Sequence, residues 1–584
     1  MKNIIRSKSL QVVGSVIILC IPLACMSRIS PFEGKMCGVD DLVYSSYFGG
    51  NALDIGTAIT QDSKGNIIIA GITYSSDFPT TAEAFDTTYN GGADVFVSKL
   101  SPDGISVIFS TYIGGSEDEL HFNSINYWES KIAIAIDSQD NIIIHGPTHS
   151  TDFPVTPSAY DETYNGALVD GEHHTGDMFV LKLAENGSDI LFSTFFGGSD
   201  AEENAQNIVI DEFDNIYLSG WTRSIDFPIT PDALNTTHNG KWDAFISKLA
   251  ANGSSLLYST YFGGSEIERG MVIERDLNNN IYIGGETFSL DLPITPDAFD
   301  PVGKSADGFF AKVSPNGSEL LYSTYVSGSN NEKIDDIAID EVNNDLYIIG
   351  TTWSSDLKVT SNSYDWTFNG EEDGFVMKIA TSGELGYSTY IGGLGLDGFE
   401  KILLDGNNDI YLMGYSSSTD YPTTSNAYAP TNRGGSDLII TKMLSNGSGL
   451  LYSSYFGGNG YEPTLWQNRK WENIPDISLV SKNSVLIVST TDSSDYPVTN
   501  NALNKTLNGQ SDVCISQLVF TDLPTFPNSS TTTTITTDRT STTDLSATTA
   551  TTITTTPVEM NFPNFLYLLI VAGVIITLRK KQKR

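Results

Sequence analysis

The chain has 584 residues, and its 71 Asp and Glu against 32 Lys and Arg give a formal net charge of −39 at pH 7. A surface this acidic repels phosphate groups, so the composition argues against nucleic acid as a partner. The same charge favours solubility and attracts cations. Cysteine is scarce, with four residues in the whole chain.

Residues 1–27 have the pattern of a secretory signal peptide. Cations at positions 2, 6 and 8 precede an apolar run from 10 to 24, which is the usual order of such a peptide. An uncleaved anchor is the alternative, but Pro22 and the small residues near Ala24 favour cleavage. Cys25 allows a lipoprotein interpretation, which Pro22 disfavours because it stands where that motif usually has Leu.

Near copies of the heptapeptide Tyr-Ser-Thr-Tyr-Phe-Gly-Gly recur along the chain. The copies begin at Tyr44, Phe109, Phe192, Tyr258, Tyr322, Tyr387 and Tyr452. The interval between them is 64 to 66 residues, apart from one of 83. A fixed period indicates repeated units that bury their apolar faces against their neighbours.

Each period contains four short runs in which apolar and polar residues alternate. β-Branched and aromatic residues fill these runs, and Gly, Pro, Asn and Asp bound them. This pattern predicts four strands per unit and no long helix. Seven such units fit an all-β fold, a seven-bladed β-propeller of four-stranded antiparallel blades over residues 41–520.

The motifs of the repeat resemble a known family. The heptapeptide, the Asp-x-x-Gly-Asn turn before Ile-Tyr-Ile-x-Gly, the Ser-x-Asp-Phe-Pro-x-Thr segment and the Asp-Ala-Phe-Val-x-Lys-Leu strand are similar to the SBBP repeat, named for a seven-bladed β-propeller. The resemblance covers about residues 41 to 520. It implies this architecture and no particular chemistry, because propellers host unrelated functions.

The order of the strands predicts how the ring closes. The first outer strand, 41–50, precedes any inner strand, and the last three inner strands, 475–520, have no outer strand after them. We therefore expect the N-terminal strand to complete the last blade. A disulfide between Cys37 and Cys514 would suit an exported protein, but the expected register places Cys514 near Tyr44, several residues beyond Cys37.

Two sets of Asp residues recur once per unit. The first set opens the turn between the first two strands and suggests either calcium sites or plain hairpin turns. The spacing lacks the density of a dedicated calcium loop, which favours turns. This first set is Asp62, Asp137, Asp211, Asp276, Asp340 and Asp405. The second set is expected to form turns that hydrogen-bond their own backbone, and it is Asp77, Asp152, Asp226, Asp291, Asp356, Asp420 and Asp495.

Departures from the repeat are where function is expected. In a four-stranded meander, the connections from strand two to strand three and from strand four to the next blade share one face, which we call the top. The long insertions 116–131, 167–176 and 459–474 lie on it. Aromatic residues on such loops are typical of binding surfaces, although each can instead seal its own loop. Positions at the ends of the second strands differ from one repeat to the next and are also candidates for ligand contact. Together, the candidate ligand-binding residues are Tyr127, Trp128, Trp221, Arg223, Phe288, Trp353, Trp466 and Trp471.

Histidine is concentrated in the second unit. Five of the six histidines fall there, with several carboxylates nearby, and imidazole with carboxylate can bind zinc or another transition metal. No spacing matches a strong metal motif, so simple packing is the alternative. The candidate ligands are His121, His149, His173 and His174.

No motif of a known catalytic class is present. The sequence has no Gly-x-Ser-x-Gly elbow, no phosphate loop and no cysteine nucleophile with a partner. Paired carboxylates are frequent in so acidic a chain, which makes any single pair uninformative. The sequence therefore predicts a protein that is not an enzyme and that needs no cofactor.

Seven Asn-x-Ser/Thr sequons are candidates for glycosylation. Asn-Gly is also the favoured pair in hairpin turns, so the sequons can be structural instead. They are Asn186, Asn235, Asn252, Asn316, Asn446, Asn504 and Asn528.

The C-terminal part predicts an anchor. Residues 521–560 are rich in Thr and Ser and predict a disordered or O-glycosylated stalk. The apolar stretch 562–578 is at the short end for a membrane helix, and the basic tail 579–584 places that end in the cytoplasm. The expected protein is a single-pass, cell-surface, extracellular propeller, monomeric, that binds a protein or glycan. The alternative is an exported carbohydrate- or polymer-active enzyme using the top near the second blade.

Overall fold

The computed structural model describes residues 42–119, 131–166, 168–169, 173–174, 176–200, 202–304, 306–462 and 475–520. All of them belong to the first of two compact units, Met1–Thr525 and Phe526–Arg584. The predicted signal peptide, stalk, membrane helix and basic tail lie outside the described residues.

The described chain forms seven four-stranded antiparallel sheets, as predicted, together with a two-stranded hairpin of Leu168–Val169 and His173–His174. We number the sheets as blades 1 to 7. From the axis outwards, blade 1 is Asp54–Gln61, Ile67–Thr73, Asp94–Leu100, Val107–Ile113; blade 2 is Ala133–Ile136, Ile142–Thr148, Asp177–Leu183, Ile190–Phe196; blade 3 is Glu202–Ile210, Ile216–Thr222, Asp243–Leu249, Leu256–Phe262; blade 4 is Glu268–Arg275, Ile281–Thr287, Asp307–Val313, Leu320–Val326; blade 5 is Glu332–Ile339, Leu346–Thr352, Asp373–Ile379, Leu385–Ile391; blade 6 is Asp397–Leu404, Ile410–Ser416, Asp437–Met443, Leu450–Phe456; blade 7 is Asp476–Ser481, Ser484–Thr491, Asp512–Val519, Leu42–Phe48.

The blades form a closed ring around a central channel. The innermost strand of each blade contacts the innermost strand of the next, and blade 7 contacts blade 1 in the same way. Second and third strands are buried on both faces because a neighbouring blade covers each face. The hydrophobic core is accordingly divided into seven clusters, each made of side chains from adjacent blades, such as Ile69 of blade 1 with Val488 of blade 7. No helix occurs among the described residues.

The N-terminal strand closes the ring, which confirms the predicted topology. Leu42–Phe48 pairs antiparallel with Asp512–Val519, from Leu42 opposite Leu518 to Phe48 opposite Val513. The register differs slightly from the expectation, since Cys514 lies opposite Tyr47 and not near Tyr44. Cys514 is fully buried, and Cys37 lies outside the described residues.

The first set of Asp residues forms hairpin turns that hold buried ion pairs. In blade 1 the Asp62 carboxylate accepts the backbone N–H groups of Lys64 and Asn66 and lies 2.8 Å from Lys99 Nζ. Burial acts to raise the pKa of Asp62, but Lys99 and Asn66 outweigh it and lower that pKa to about 2. Equivalent pairs join Asp137 to Lys182, and further round the ring Asp211 to Lys248 and Asp276 to Lys312. These contacts support the hairpin interpretation of the turns.

The second set of Asp residues also has a role beyond its own turns. Asp77 accepts the N–H of Asn51, which follows the Gly-Gly of the preceding outer strand, at 2.9 Å. The six other members accept the corresponding N–H in the same way. Each Asp therefore fixes the connection by which the chain enters its blade.

Removal of one hydroxyl tests whether the closing strand is held as firmly as an ordinary outer strand. Tyr47 donates to Ser493 O at 2.6 Å and accepts from Tyr496 N at 3.1 Å. Tyr112 makes the same two bonds in blade 1, to Ser75 O and from Phe78 N. Tyr47→Phe and Tyr112→Phe are each expected to lower the free energy of unfolding by roughly 1–3 kcal/mol. In each variant two buried backbone groups lose one hydrogen bond and keep only the bond between them, which is 3.4 Å long in blade 7 and 3.2 Å in blade 1.

Chemical denaturation of both variants beside the wild type measures the two losses. A negligible loss for Tyr47→Phe together with a normal loss for Tyr112→Phe would contradict a firmly held closing strand.

Candidate functional site in the central channel

The aromatic candidates of the top face are only partly described. Tyr127, Trp128, Trp466 and Trp471 lie outside the described residues, as does His121. Trp221 is 2% exposed, so its ring packs inside the propeller.

The remaining top-face candidates contact side chains of their own region. The Arg223 guanidinium lies 5.4 Å from the centre of the Trp242 ring and 3.6 Å from an Asp200 carboxylate oxygen. Arg269 lies 5.6 Å from the centre of the Phe288 ring. Phe288 and Trp353 are partly exposed. The described contacts do not bring these residues together into one site.

Of the four histidine candidates, His149 is the one whose side-chain contact lies within the described part of the chain. His149 Nδ1 lies 3.1 Å from Asp118 O, and His173 and His174 form one strand of the short hairpin. Among the residues that the structure describes, no three His, Cys, Asp or Glu side chains are placed to hold a metal ion.

Six of the seven sequons are described, and several are part of tight turns. The side-chain oxygens of Asn186, Asn252, Asn316 and Asn446 accept the N–H of the Ser two residues on. All four of these Asn residues are exposed, whereas Asn235 and Asn504 are half-buried. Asn528 lies outside the described residues. Glycosylation therefore stays a prediction.

The structure instead brings charged side chains together in the channel. Lys401 of blade 6 lies with its ammonium 3.5 Å from Asp336 Oδ2 of blade 5. The charges of Asp476 in blade 7, Glu274 in blade 4 and Lys131 at the start of blade 2 act on the same pair. Residues from five different blades interact only where the inner strands converge, so we call these five residues the channel cluster.

Backbone donors hold two members of the channel cluster in place. Asp336 Oδ2 accepts the N–H of Ile402 at 3.0 Å, and Asp476 Oδ2 accepts the N–H of Ile59 at 2.9 Å. Each carboxylate thereby bridges its own blade to the next one. A second ion pair, Lys333 Nζ to Asp335 Oδ1 at 2.9 Å, lies on the same strand of blade 5.

Burial and the charges of neighbouring side chains shift the pKa values of the channel cluster. Burial raises the pKa of Glu274 to about 7, and the Asp336 carboxylate acts in the same direction. Burial and the neighbouring Lys401 lower the pKa of Lys131 to about 8. For Lys401 burial acts to lower the pKa, but the Asp336, Asp476 and Glu274 carboxylates outweigh it and raise it. With these pKa values, Glu274 and Lys131 can both exchange protons near neutral pH.

A cavity of about 690 Å³ opens beneath this cluster on the face opposite the top. Blades 3 to 6 line it, with Ile337, Ala338 and Ile402 among its aliphatic residues and with Glu274 and Arg275 among its charged ones. Arg275 donates from Nε to Ile210 O at 2.7 Å and from Nη1 to Asn279 Oδ1 at 2.9 Å. We call this opening the bottom mouth.

Sequence reasoning missed the channel cluster, although a signal for it exists. When the innermost strands are aligned on the carboxylate that begins each of them, Asp336 and Lys401 stand where blade 1 has Ala58 and blade 4 has Val272. Charges at positions that are apolar in sister repeats mark a local departure from the shared architecture. Their convergence requires the ring, because the two positions are 65 residues apart.

Replacing the Lys401 ammonium tests the balance of charges in the cluster. Lys401→Met leaves Asp336 and Asp476 without their nearest cation, so we expect a loss of about 3–5 kcal/mol in the free energy of unfolding at pH 7. The same change raises the pKa of the remaining carboxyls in the folded state, so the loss should shrink as pH falls.

Denaturation at several pH values measures this dependence. Lys64→Met is the control because Lys64 is exposed in a turn of blade 1, and we expect little change for it. If Lys401→Met does not lower the free energy of unfolding, or lowers it equally at all pH values, Lys401 does not neutralise the buried carboxylates of the channel cluster.

The described residues contain no helix long and apolar enough to cross a membrane.

No curated protein sequence matches the chain. Among solved structures, a protein of unknown function from Dyadobacter fermentans covers 82% of this chain and 99% of its own at 10% identity, with a TM-score of 0.36. A PL25 polysaccharide lyase, an ulvan lyase bound to -[GlcA(1-4)Rha3S]-, covers 81% and 95% at 9% identity with a TM-score of 0.43. BamB from Moraxella catarrhalis covers 82% and 99% at 10% identity with a TM-score of 0.32.

At these identities and TM-scores the structural similarity carries no argument about activity. The SBBP β-propeller repeat model matches residues 321–358, which run from the outer strand of blade 4 through the two innermost strands of blade 5. The chain is therefore a seven-bladed β-propeller that contains an SBBP β-propeller repeat at residues 321–358.

Proposed function

We propose that the protein is a surface-anchored binding module whose extracellular propeller receives its ligand in the bottom mouth. The observation that carries this proposal is the cavity of about 690 Å³ between blades 3 and 6. Its size is in the range of small-molecule sites, and its lining combines aliphatic side chains with six charged ones. A protein segment or a glycan end is the class of ligand that such a mouth admits.

Exposed apolar side chains around the mouth support a binding role. Leu277 and Val342, in equivalent turns of blades 4 and 5, are 66% and 85% exposed, and Phe213 in the turn of blade 3 is 70% exposed. In blades 1, 2 and 6 the same turns carry no large apolar residue: they contain Ser63 and Lys64, Ser138 and Gln139, and Gly406 and Asn407. Three large apolar residues on successive blades are unusual for a surface that meets only water.

The charged groups of the mouth would give the ligand its orientation. Arg275 is held by Ile210 and Asn279 and lies 3.8 Å from Glu212, so its position is set before a ligand arrives. Glu274 changes its charge near neutral pH because burial raises its pKa to about 7. A bound polar group would therefore meet one fixed cation and several carboxyls, of which Glu274 can donate or accept a proton near neutral pH.

The location at the cell surface rests on the sequence. The signal-like segment 1–27, the Thr- and Ser-rich stretch 521–560, the apolar stretch 562–578 and the basic tail 579–584 follow the order of a single-pass anchored protein. With this order the propeller is outside the cell and the tail is in the cytoplasm.

An exported carbohydrate- or polymer-active enzyme is the second candidate, and the channel cluster favours it. Glu274 and Lys131 both exchange protons near neutral pH, which general acid–base catalysis requires. Structural ion-pair networks shift pKa values in the same way, so binding remains the first proposal. Turnover of a polysaccharide by the wild type, lost in Lys131→Met with binding retained, would decide for the enzyme.

A charge placed at the rim tests the binding site. We expect Leu277→Asp to abolish capture of the ligands that the purified wild-type protein selects on glycan and protein arrays, because a carboxylate at the rim opposes apolar contact. Ile225→Asp is the matched control, since Ile225 is 83% exposed on the top side of blade 3. Equal binding by wild type and Leu277→Asp, or equal loss in both variants, would contradict a site at the bottom mouth.

Removal of the apolar segment tests the anchor. A chain that ends at residue 560 should appear in the culture medium of the secreting cells, whereas the full chain should stay with the membrane fraction. Deletion of 535–545 within the Thr- and Ser-rich stretch is the control, because it shortens the chain and leaves 562–584 in place. Retention of the truncated chain in the membrane fraction would contradict anchoring through this segment.

A further inference from the structure

A pair of buried carboxyl groups recurs where adjacent blades meet at the top. One member is the Asp that begins the third strand of a blade. The other is the Asp or Glu four residues after the next Gly-Gly, or four residues after Ser-Gly at the one junction where Ser-Gly replaces Gly-Gly. All of these side chains are fully or almost fully buried. The pairs with both side chains described are Asp94 with Glu119, Asp243 with Glu268, Asp307 with Glu332, Asp373 with Asp397, Asp437 with Glu462, and Asp512 with Asp54.

In four of the six pairs, the two carboxyls border the same glycine, the first of the Gly-Gly. A Cβ atom on Gly263 would lie 2.5 Å from Glu268 Oε2 and 2.7 Å from Asp243 Oδ1. At Gly457 the Glu462 and Asp437 oxygens occupy the same positions. Any side chain at these glycines would therefore fill the space that the two carboxyl groups share.

Hydrogen-bond donors bind the four oxygens of the Asp437–Glu462 pair unequally. Asp437 Oδ2 accepts from Arg433 N at 2.7 Å, whereas no donor reaches Asp437 Oδ1. Glu462 Oε1 accepts from the hydroxyls of Thr491 and Ser493 in blade 7. Its Oε2 accepts only from Gly458 N, at 2.9 Å.

Each pair is also part of the contact between two blades. The Glu462 N–H donates to Ser436 O of blade 6 at 2.8 Å, while the Glu462 side chain binds the hydroxyls of blade 7. Glu268 makes the matching backbone bond to Trp242 O at 2.9 Å and accepts from Thr287 Oγ1 at 2.6 Å. The electrostatic state of the pair therefore acts directly on the cohesion of the ring.

Two buried carboxylates that border the same small space cannot both be charged with nothing between them, because like charges in a dry site repel strongly. We propose that each pair holds one proton between its two facing oxygens, and that these shared protons make the ring more stable in mildly acidic than in alkaline solution. The ligand of the site is the proton, and the sites are separate from the bottom mouth.

The electrostatic surroundings support proton sharing. Burial raises the pKa of Asp437 to about 6, and burial, with Asp437 acting in the same direction, raises that of Glu462 to about 7. Arg433 and Asp495 are the other charged groups that act on Asp437, with opposite signs. The titratable groups near Glu462 are the buried side chains of Tyr47, Tyr496 and Cys514, whose pKa values burial raises, so they stay neutral.

The direction of the pH effect follows from linkage. A carboxyl whose pKa is higher in the folded than in the unfolded state binds its proton more tightly when folded. Its stabilising contribution is complete below the unfolded pKa of about 4 and is lost as pH rises through the folded value of about 6 to 7. The melting temperature should therefore fall as pH rises from about 5 to 8.

Asp437→Asn tests one pair. The amide can still accept from Arg433 N and can donate to Glu462 without a shared proton, so the variant should melt like the wild type near pH 5 and lose less stability towards pH 8. Proton uptake on folding at about pH 6.5, from calorimetry in buffers of different ionisation enthalpy, should drop by about one proton. Asp232→Asn is the control because Asp232 is exposed, and it should follow the wild type throughout.

Two further measurements keep the outcome decisive. If Asp437→Asn fails to fold, Glu462→Gln makes the same test at the same junction. Asp373→Asn makes it at the junction between blades 5 and 6. Infrared absorption of protonated carboxyls should persist in the wild type at pH 6 and decrease in the variant. An unchanged pH dependence in a folded variant would overturn the proposal. So would a melting temperature at pH 8 that Ca²⁺ raises in the wild type and not in the variant, because a cation would then occupy the site.

Discussion

The pairing of Leu42–Phe48 with Asp512–Val519 is the contact on which the whole architecture depends. A blade of this propeller is apolar on both faces, so each blade needs a neighbour on either side. An open row of seven would leave two such faces and two sheet edges in water. The closing strand joins residues more than 450 positions apart, and it lets Tyr44 and Phe48 complete the apolar layer between blades 7 and 1.

Carboxylates outnumber cations in this chain, and its buried carboxyl groups occur in two kinds of environment. At the turns near the channel, Asp62 and its equivalents are paired with Lys99 and its equivalents, and their pKa values are lowered. At the top junctions, carboxyls face carboxyls and their pKa values are raised. The first kind destabilises the protein only in strong acid, and the second destabilises it towards alkaline pH. Together they place the most stable range on the mildly acidic side of neutrality.

Positions at which a few blades differ from the others indicate where a ligand can bind. Blades 4 to 6 carry three of the five channel-cluster residues and the exposed Leu277 and Val342, and these blades also provide most of the cavity lining. A position shared by all blades serves the architecture, as the Gly-Gly corners and their carboxyl pairs do. A position that differs in a few adjacent blades is free to contact a ligand. The bottom mouth combines several such positions, which is why the proposed function is placed there.

The sequence by itself determined the period, the four strands per unit, the number of blades and the closure of the ring, because these follow from local alternation and from the order of the pieces. It also contained the acidic residue after each Gly-Gly and the Asp that begins each third strand, yet their pairing was not predicted, since the two lie 24 or 25 residues apart in the chain except at the closing junction. Only the tertiary structure decided that Asp336, Lys401 and Asp476 meet on the axis and that Trp221 is buried. Such contacts depend on how far each blade is rotated against the next, and this rotation is set by the packing of all seven together.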